Sequence, residues 1–362
     1  MNNHIHAPTL LGIAGAGLMG RGIAQIAAQN GISVILYDSR AGGAREAKDA
    51  IIAVLETLSA KGKLTVGAVA AAAARLTVAD SLTDLSACPV VVEAIVEKLE
   101  IKRELFQQLE AVVDAKCILA TNTSSLSVTA IAATCQHPGR VAGFHFFSPV
   151  PLMKIVEVIT GPLTDNGIAE TLIALTRRMG HTPVRASDTP GFIVNHAGRG
   201  YLTESLRLLG ETIAPYPDID RVLRLGAGFR MGPFELLDLT GLDVSQPVME
   251  SIYDQYYQEP RFRPSPIVRQ RLAAGLLGRK TQRGFYSYSN GQKQDLPPCP
   301  VPPRNDLPVW LAPAEAEAFP AVAELLRSAG APLDTGACAG EKSLCLLLPI
   351  GMDVSTAAVA AG

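Results

Sequence analysis

The chain has 362 residues, room for two or three domains, and 48% of it is hydrophobic while only 18% is charged. A net charge of −2 supplies no global field toward nucleic acid or anionic lipid, so neither is expected as a partner. No apolar run approaches the ~20 residues that span a bilayer. The six cysteines (88, 117, 135, 299, 338 and 345) form no C-x-x-C pair, and MNNHIHAPTL shows no signal pattern. A cytoplasmic α/β enzyme with reduced thiols and no metal site is the expectation.

Residues 10–14 read as a short apolar strand, and GAGLMG follows at once. Gly15, Gly17 and Gly20 carry the G-x-G-x-x-G spacing, with Leu18 and Met19 in the same loop, and a helix continues to Gly31. The first glycine permits the tight turn and the second lets the backbone approach a pyrophosphate. The third lets the helix pack closely on the strand, and the helix N-terminus faces the phosphate charge. A second strand at 33–37 ends at Asp38. A carboxylate there accepts hydrogen bonds from the adenosine ribose and repels a 2′-phosphate, which favours NAD over NADP. Arg40, two residues on, is the one feature against that choice.

Alanine-rich helical sequence runs over 41–74, interrupted by Lys61-Gly62-Lys63. These lysines read as an exposed turn, or as a contact for a phosphate of a long ligand. PVVVEAI at 89–95 is a buried-type strand, continuous in valine as parallel sheets are. An amphipathic helix is expected over 97–113, with Glu97 and Lys102 near the strand's C-terminal end. Residues 117–121 form another strand, followed by NTSS. Loops at the carboxyl ends of such strands hold ligands, which places Asn122 and Ser124 for chemistry. For Ser125 a helix N-cap is the preferred reading.

Two apolar runs, 141–147 and 154–159, flank a Ser-Pro-Val-Pro turn. Strands so joined tend to pair, bringing Glu157 to the His145 ring. A carboxylate on one imidazole nitrogen leaves the other free as a base near neutral pH. The alternative is a core histidine satisfied by a backbone carbonyl.

A helix (166–179) and a last strand (182–186) close the first domain, 1–187. Helices are then predicted at 192–209, 218–225, 234–257 and 265–274, with Pro190-Gly191 as a hinge. RKTQRGFYSY reads as a loop and short strand ending a second domain, 188–288. A proline-stiffened linker follows over 289–308, and α/β alternation restarts: strand 309–312, helix 314–329, strand 343–350 and a helix from about 353. The predicted fold class is a Rossmann-type α/β N-terminal domain, an all-α second domain and a partial α/β segment at 309–362. So few elements bury little core alone, and the chain is expected to be the front part of a longer protein.

GAGLMGRGIAQ, Asp38, VVEAIVEKLEIKREL, NTSSL, GFHFFSPVPLMKIVEVI, DTPGFIVN, GAGFRMGPFELLDLTGLD and GRKTQRGFYSY together resemble 3-hydroxyacyl-CoA dehydrogenases, in the family's order, over about 9–288. The resemblance implies NAD-dependent oxidation of an L-3-hydroxyacyl-CoA to the 3-ketoacyl-CoA. It implies His145 as base, Glu157 as its orienting carboxylate, and Ser124 and Asn195 on the substrate oxygen. Asn122, Glu97 and Lys102 would lie near the nicotinamide side and the bound ligands. It also implies a homodimer through the helical domain. Two residues depart from the pattern: Ser148 stands where HFFNP has asparagine, and His196 where arginine commonly follows the Asn195 match. The tail resembles a longer bacterial subgroup, some of which act on 3-hydroxyadipyl-CoA in aromatic-compound breakdown. A dinucleotide-binding structural or sensor protein without turnover is the competing reading, set against the presence of His145, Glu157 and Asn195 together.

Overall fold

Residues 7–294 and 306–361 are described by the structure, a computed structural model. Eight short strands build one sheet: β1 (Leu10–Ala14), β2 (Ser33–Tyr37), β3 (Leu76–Val78), β4 (Val90–Glu93), β5 (Ile118–Thr121), β6 (Val141–Phe146), β7 (Ile155–Thr160) and β8 (Thr182–Ser187). Their order is β3-β2-β1-β4-β5-β6-β7-β8. Strands β3 to β6 run parallel, β7 turns back against β6, and β8 follows β7. All four residues of β4 are buried, because helices cover both faces of the sheet. Leu11, Ile13, Ile23, Ile51 and Leu172 belong to one apolar cluster, and Val91, Phe106, Leu109 and Ile131 to another. The helix Gly43–Ala60 shows how the sequence achieves this: Ala44, Ala47, Ile51 and Leu55 are its buried stripe, spaced three and four apart.

Strand order reverses between β1 and β4, so a crevice opens beyond their carboxyl ends. Gly15 follows β1 directly, and β4 ends in Glu93. The β6/β7 hairpin stands two strands away from β4 and carries His145 and Glu157.

Beyond β8 the described chain to Gln294 is helical apart from a small hairpin, Tyr288–Ser289 with Gln292–Lys293. That hairpin occupies the start of the segment expected as a linker, whose residues 295–305 lie outside those described, with Cys299 among them. The helix expected at 234–257 is two, Pro233–Thr240 and Leu242–Gln255, because Gly241 between them adopts φ +88°. The one expected at 192–209 is interrupted at Gly198 into Val194–Ala197 and Arg199–Gly210. Leu202, Leu206, Phe234, Leu237 and Met249 give this part its own core. The edge strand β3 was not expected; three residues are too few to show a period.

The chain divides into two compact units, the second starting at Asp295. In the second, Val309–Leu311 lies between two parallel partners, Leu333–Asp334 and Leu344–Leu346. The helix expected at 314–329 is broken into Pro313–Ala318 and Pro320–Ser328, since Pro320 has no N–H to continue the ladder. Leu344–Leu346 is all that forms of the strand expected at 343–350. Among the described residues, no helix is long and apolar enough to cross a membrane.

Candidate active site

His145 and Glu157 are direct cross-strand partners on the β6/β7 pair. Their side chains meet, with His145 Nδ1 2.7 Å from Glu157 Oε2. Glu157 is wholly buried, and its Oε1 accepts the N–H groups of Ile193 and Val194, each at 2.9 Å. Burial pushes this carboxyl up, but the hydrogen bonds from His145 and from the Val194 and Ile193 amides outweigh it, and the net direction is below the ordinary carboxylate value. An ionised carboxylate only accepts, so Nδ1 is the donor and Nε2 carries the free lone pair. Nε2 makes no hydrogen bond to a described residue. The imidazole lies near the rings of Phe147 (centroids 4.4 Å apart) and Phe192 (5.8 Å).

The two amides reach Glu157 because the chain turns sharply just before them. Gly191 takes φ +79° and Phe192 φ +49°, a left-handed conformation strained for a bulky residue. The sequence marked this place only by its Pro-Gly pair.

The loop after β5 is fastened to the same hairpin. Asn122 Oδ1 accepts the Phe146 N–H at 2.9 Å, so Asn122 anchors the loop beside His145. Asn195 Nδ2 donates to the Ser124 carbonyl at 3.2 Å, which brings these two expected residues together. Glu97 lies over the loop, and its Oε1 accepts from the Thr123 hydroxyl (2.6 Å) and the Ser124 N–H (2.8 Å). The Ser124 hydroxyl stands farther off, at 3.2 Å. One oxygen has two lone pairs, so the longer contact is the one readily exchanged for a ligand. The capping role expected of Ser125 belongs to Ser127, whose hydroxyl accepts the Ala130 N–H at the start of Val128–Ala132.

Lys102 is only 1% exposed and lies between two carboxylates, 2.5 Å from Glu93 Oε1 and 3.3 Å from Glu97 Oε2. It therefore holds Glu97 in place from beneath and does not extend into the crevice. Burial pushes Glu97 up, yet the Lys102 charge and the hydrogen bonds from Thr123, Ser124 and Ser125 carry it below the ordinary value. Glu93, which also accepts from the Thr121 hydroxyl at 2.7 Å, was not singled out in the sequence. A carboxylate closing an otherwise all-valine buried strand was the available signal.

In the glycine-rich turn, Gly15 takes φ +103°, and a Cβ there would lie 2.7 Å from the Ala94 carbonyl carbon. A Cβ on Gly20 would lie 1.8 Å from the Gly15 oxygen, so helix and turn touch only because residue 20 is bare. At Gly17 a Cβ would meet nothing within 4 Å, which leaves room for a ligand before the helix Leu18–Gln29. Leu18 is exposed at that helix start, while Met19 packs on the core. Asp38 accepts the Ala16 N–H at 2.8 Å and the Arg40 N–H at 2.9 Å. The Arg40 guanidinium is bound twice by Glu46, at 2.9 and 2.6 Å. Its charge is thereby matched, and the feature that opposed NAD loses its force.

A crevice of about 210 Å³ adjoins Asp38, walled by Tyr37, Leu82, Ile95, Ile101 and Leu105. Apolar walls with a carboxylate at the rim suit an adenosine. These wall residues were missed, for they are apolar positions scattered over several elements. Lys61 and Lys63 are exposed on the turn between Gly43–Ala60 and Val66–Ala74, and no hydrogen bond or ion pair ties them to the His145 group.

Residues 10–189 match the family described as the 3-hydroxyacyl-CoA dehydrogenase NAD binding domain, and residues 191–288 its C-terminal domain. A 3-hydroxyadipyl-CoA dehydrogenase of Escherichia coli is 45% identical over 276 residues, 76% of this chain but only 58% of that relative. A probable 3-hydroxybutyryl-CoA dehydrogenase of Deinococcus radiodurans is 41% identical, over 76% of this chain and 99% of its own length. Among solved structures, the (S)-3-hydroxybutyryl-CoA dehydrogenase of Ralstonia eutropha superposes with a TM-score of 0.75 at 37% identity, covering 78% of this chain and all of that one.

Proposed function

The chain belongs to the 3-hydroxyacyl-CoA dehydrogenase family, and from that premise we propose that it interconverts an L-3-hydroxyacyl-CoA and its 3-ketoacyl-CoA with NAD. The observation that carries the reading is the His145–Glu157 pair, set beside Ser124 and Asn195. NAD supplies the hydride acceptor for the substrate's carbinol carbon. The room at Gly17, the carboxylate of Asp38 and the apolar crevice beside it fit the dinucleotide.

His145 takes the hydroxyl proton at Nε2, the nitrogen that Glu157 leaves free. Glu157 then stabilises the imidazolium through Nδ1, as a buried aspartate does in a hydrolase triad. The Ser124 hydroxyl and the Asn195 amide turn from their present partners toward the substrate oxygen as it becomes a carbonyl. Phe147 and Phe192 keep water from the ring. Because Ile193 and Val194 bind the same carboxylate as His145, closure of the helical part over the sheet and orientation of the base are coupled.

The reaction belongs to oxidative acyl-CoA breakdown in the cytoplasm, and the working form is a homodimer through the helical part. Light scattering on the purified chain tests the dimer. The curated relatives' names divide between 3-hydroxybutyryl and 3-hydroxyadipyl thioesters, so the acyl end is where the substrates part. Oxidation of NADH with acetoacetyl-CoA, compared between the wild type and His145→Gln, tests the activity.

A further inference from the structure

Four arginines of the helical part, Arg199, Arg207, Arg224 and Arg230, each read from the sequence as part of a solvated helix face. The fold separates them. Arg207 is exposed and paired with Glu204 and Glu211, Arg224 reaches Glu235, and Arg230 is exposed. Arg199 alone of the four is buried, at 5% exposure, and among the described residues it forms no ion pair with a carboxylate. Its Nη1 is buried without a partner, and its Nε has only a long contact, 3.4 Å, to the Asn195 carbonyl. Arg140, equally buried, shows the ordinary solution: Glu110 at 3.2 Å and the Asp114 carbonyl at 2.6 Å.

A buried guanidinium without an anion is costly, and deprotonation offers little relief. Burial here pulls the group down to about 10, still charged at neutral pH. Its position gives the missing anion an address. Arg199 begins the helix Arg199–Gly210, four residues after Asn195, and across the break at Gly198 its Nε turns back to the Asn195 carbonyl. Asn195 in turn lies on the Ser124 carbonyl.

We propose that Arg199 receives a second carboxylate at the far end of the acyl group, so that the substrate is the CoA thioester of a dicarboxylic 3-hydroxy acid. The inference rests on the dehydrogenase reading above. With the carbinol between His145 and Asn195, a carboxylate a few bonds farther along the acyl chain falls beside Arg199, which already lies against the Asn195 carbonyl, and the guanidinium fork binds it there. Arg199 is then the residue that separates a dicarboxylic acyl chain from a plain one of equal length.

The test is inhibition of acetoacetyl-CoA reduction by two dead-end thioesters of equal length, adipyl-CoA and hexanoyl-CoA. The wild type is expected to bind adipyl-CoA about 10²-fold more tightly, since a buried polar site rejects an analogue that leaves it unpaired. Arg199→Gln is expected to erase that ratio, and Arg199→Lys, which keeps charge without the fork, to retain part of it. Equal inhibition of the wild type by the two thioesters would overturn the proposal. So would a preference for adipyl-CoA that survives in Arg199→Gln. If the glutamine variant does not fold, the wild-type ratio and the lysine variant decide: a ratio undiminished in Arg199→Lys would overturn it. No reduction of acetoacetyl-CoA by the wild type would instead overturn the dehydrogenase reading, and this inference with it.

Discussion

Glu157 holds His145 with one carboxylate oxygen and the amides of Ile193 and Val194 with the other. A single buried side chain thus orients the proposed base and ties the sheet to the helical part. Glu157→Gln keeps the shape and removes the charge that would balance an imidazolium. We expect kcat to fall by about 10²-fold or more while the Kd for NADH is retained. Steady-state kinetics with a fluorescence titration of NADH check both.

The same group gives an acid limb to stability. Native Glu157 lies below the ordinary carboxylate value of 4.5, so the unfolded chain takes up this proton first as pH falls. Its contribution is complete above about pH 4.5 and is lost as pH drops through the lowered native value. Melting temperatures measured from pH 6 down to 3 should fall less steeply in Glu157→Gln than in the wild type.

The hairpin and the dinucleotide turn were legible because each is a local pattern. His145 and Glu157 sit in apolar runs flanking a proline turn, and the glycines of 15–20 sit between a strand and a helix. What pairs across the fold was not legible. The Glu93–Lys102 contact joins a strand end to the first turns of a helix, and no period marks it. The left-handed Phe192 left no trace beyond the neighbouring glycine, since the Ile193 and Val194 amides that follow it bind a carboxylate 36 and 37 residues away in sequence. Nothing local in the sequence separates Arg199 from Arg207, Arg224 and Arg230; its burial does. The breaks at Gly241 and Pro320, by contrast, are residues whose chemistry was visible and was passed over.

Lys102 is placed here as the support of Glu97, with Glu93 wholly buried on its other side. Lys102→Met leaves that carboxylate buried and unpaired, and is expected to lower unfolding free energy by about 3–5 kcal/mol. Adding Glu93→Gln should restore part of it. Urea unfolding of the single and double variants checks this, and a single variant as stable as the wild type would remove the ion pair from the account.

Dinucleotide choice is assigned to Asp38, with Arg40 held by Glu46. Asp38→Ala should reduce the preference for NADH over NADPH by about 10–100-fold, the loss of a charged hydrogen bond to the ribose. Adding Glu46→Gln frees Arg40 for a 2′-phosphate and should lower the KM for NADPH further. Comparing kcat/KM for the two dinucleotides across the three proteins gives the answer.

We propose His145 as the base of an NAD-dependent hydroxyacyl-CoA dehydrogenase. The most direct test is NADH oxidation with acetoacetyl-CoA by the wild type and His145→Gln, with NADH binding measured on both. Turnover by the wild type, a loss of about 10²–10⁴-fold in kcat for the variant, and equal NADH affinity are expected. An unchanged kcat in the variant would exclude His145 as base. NADH binding with no turnover by the wild type would leave a dinucleotide-binding protein that keeps the fold without the reaction.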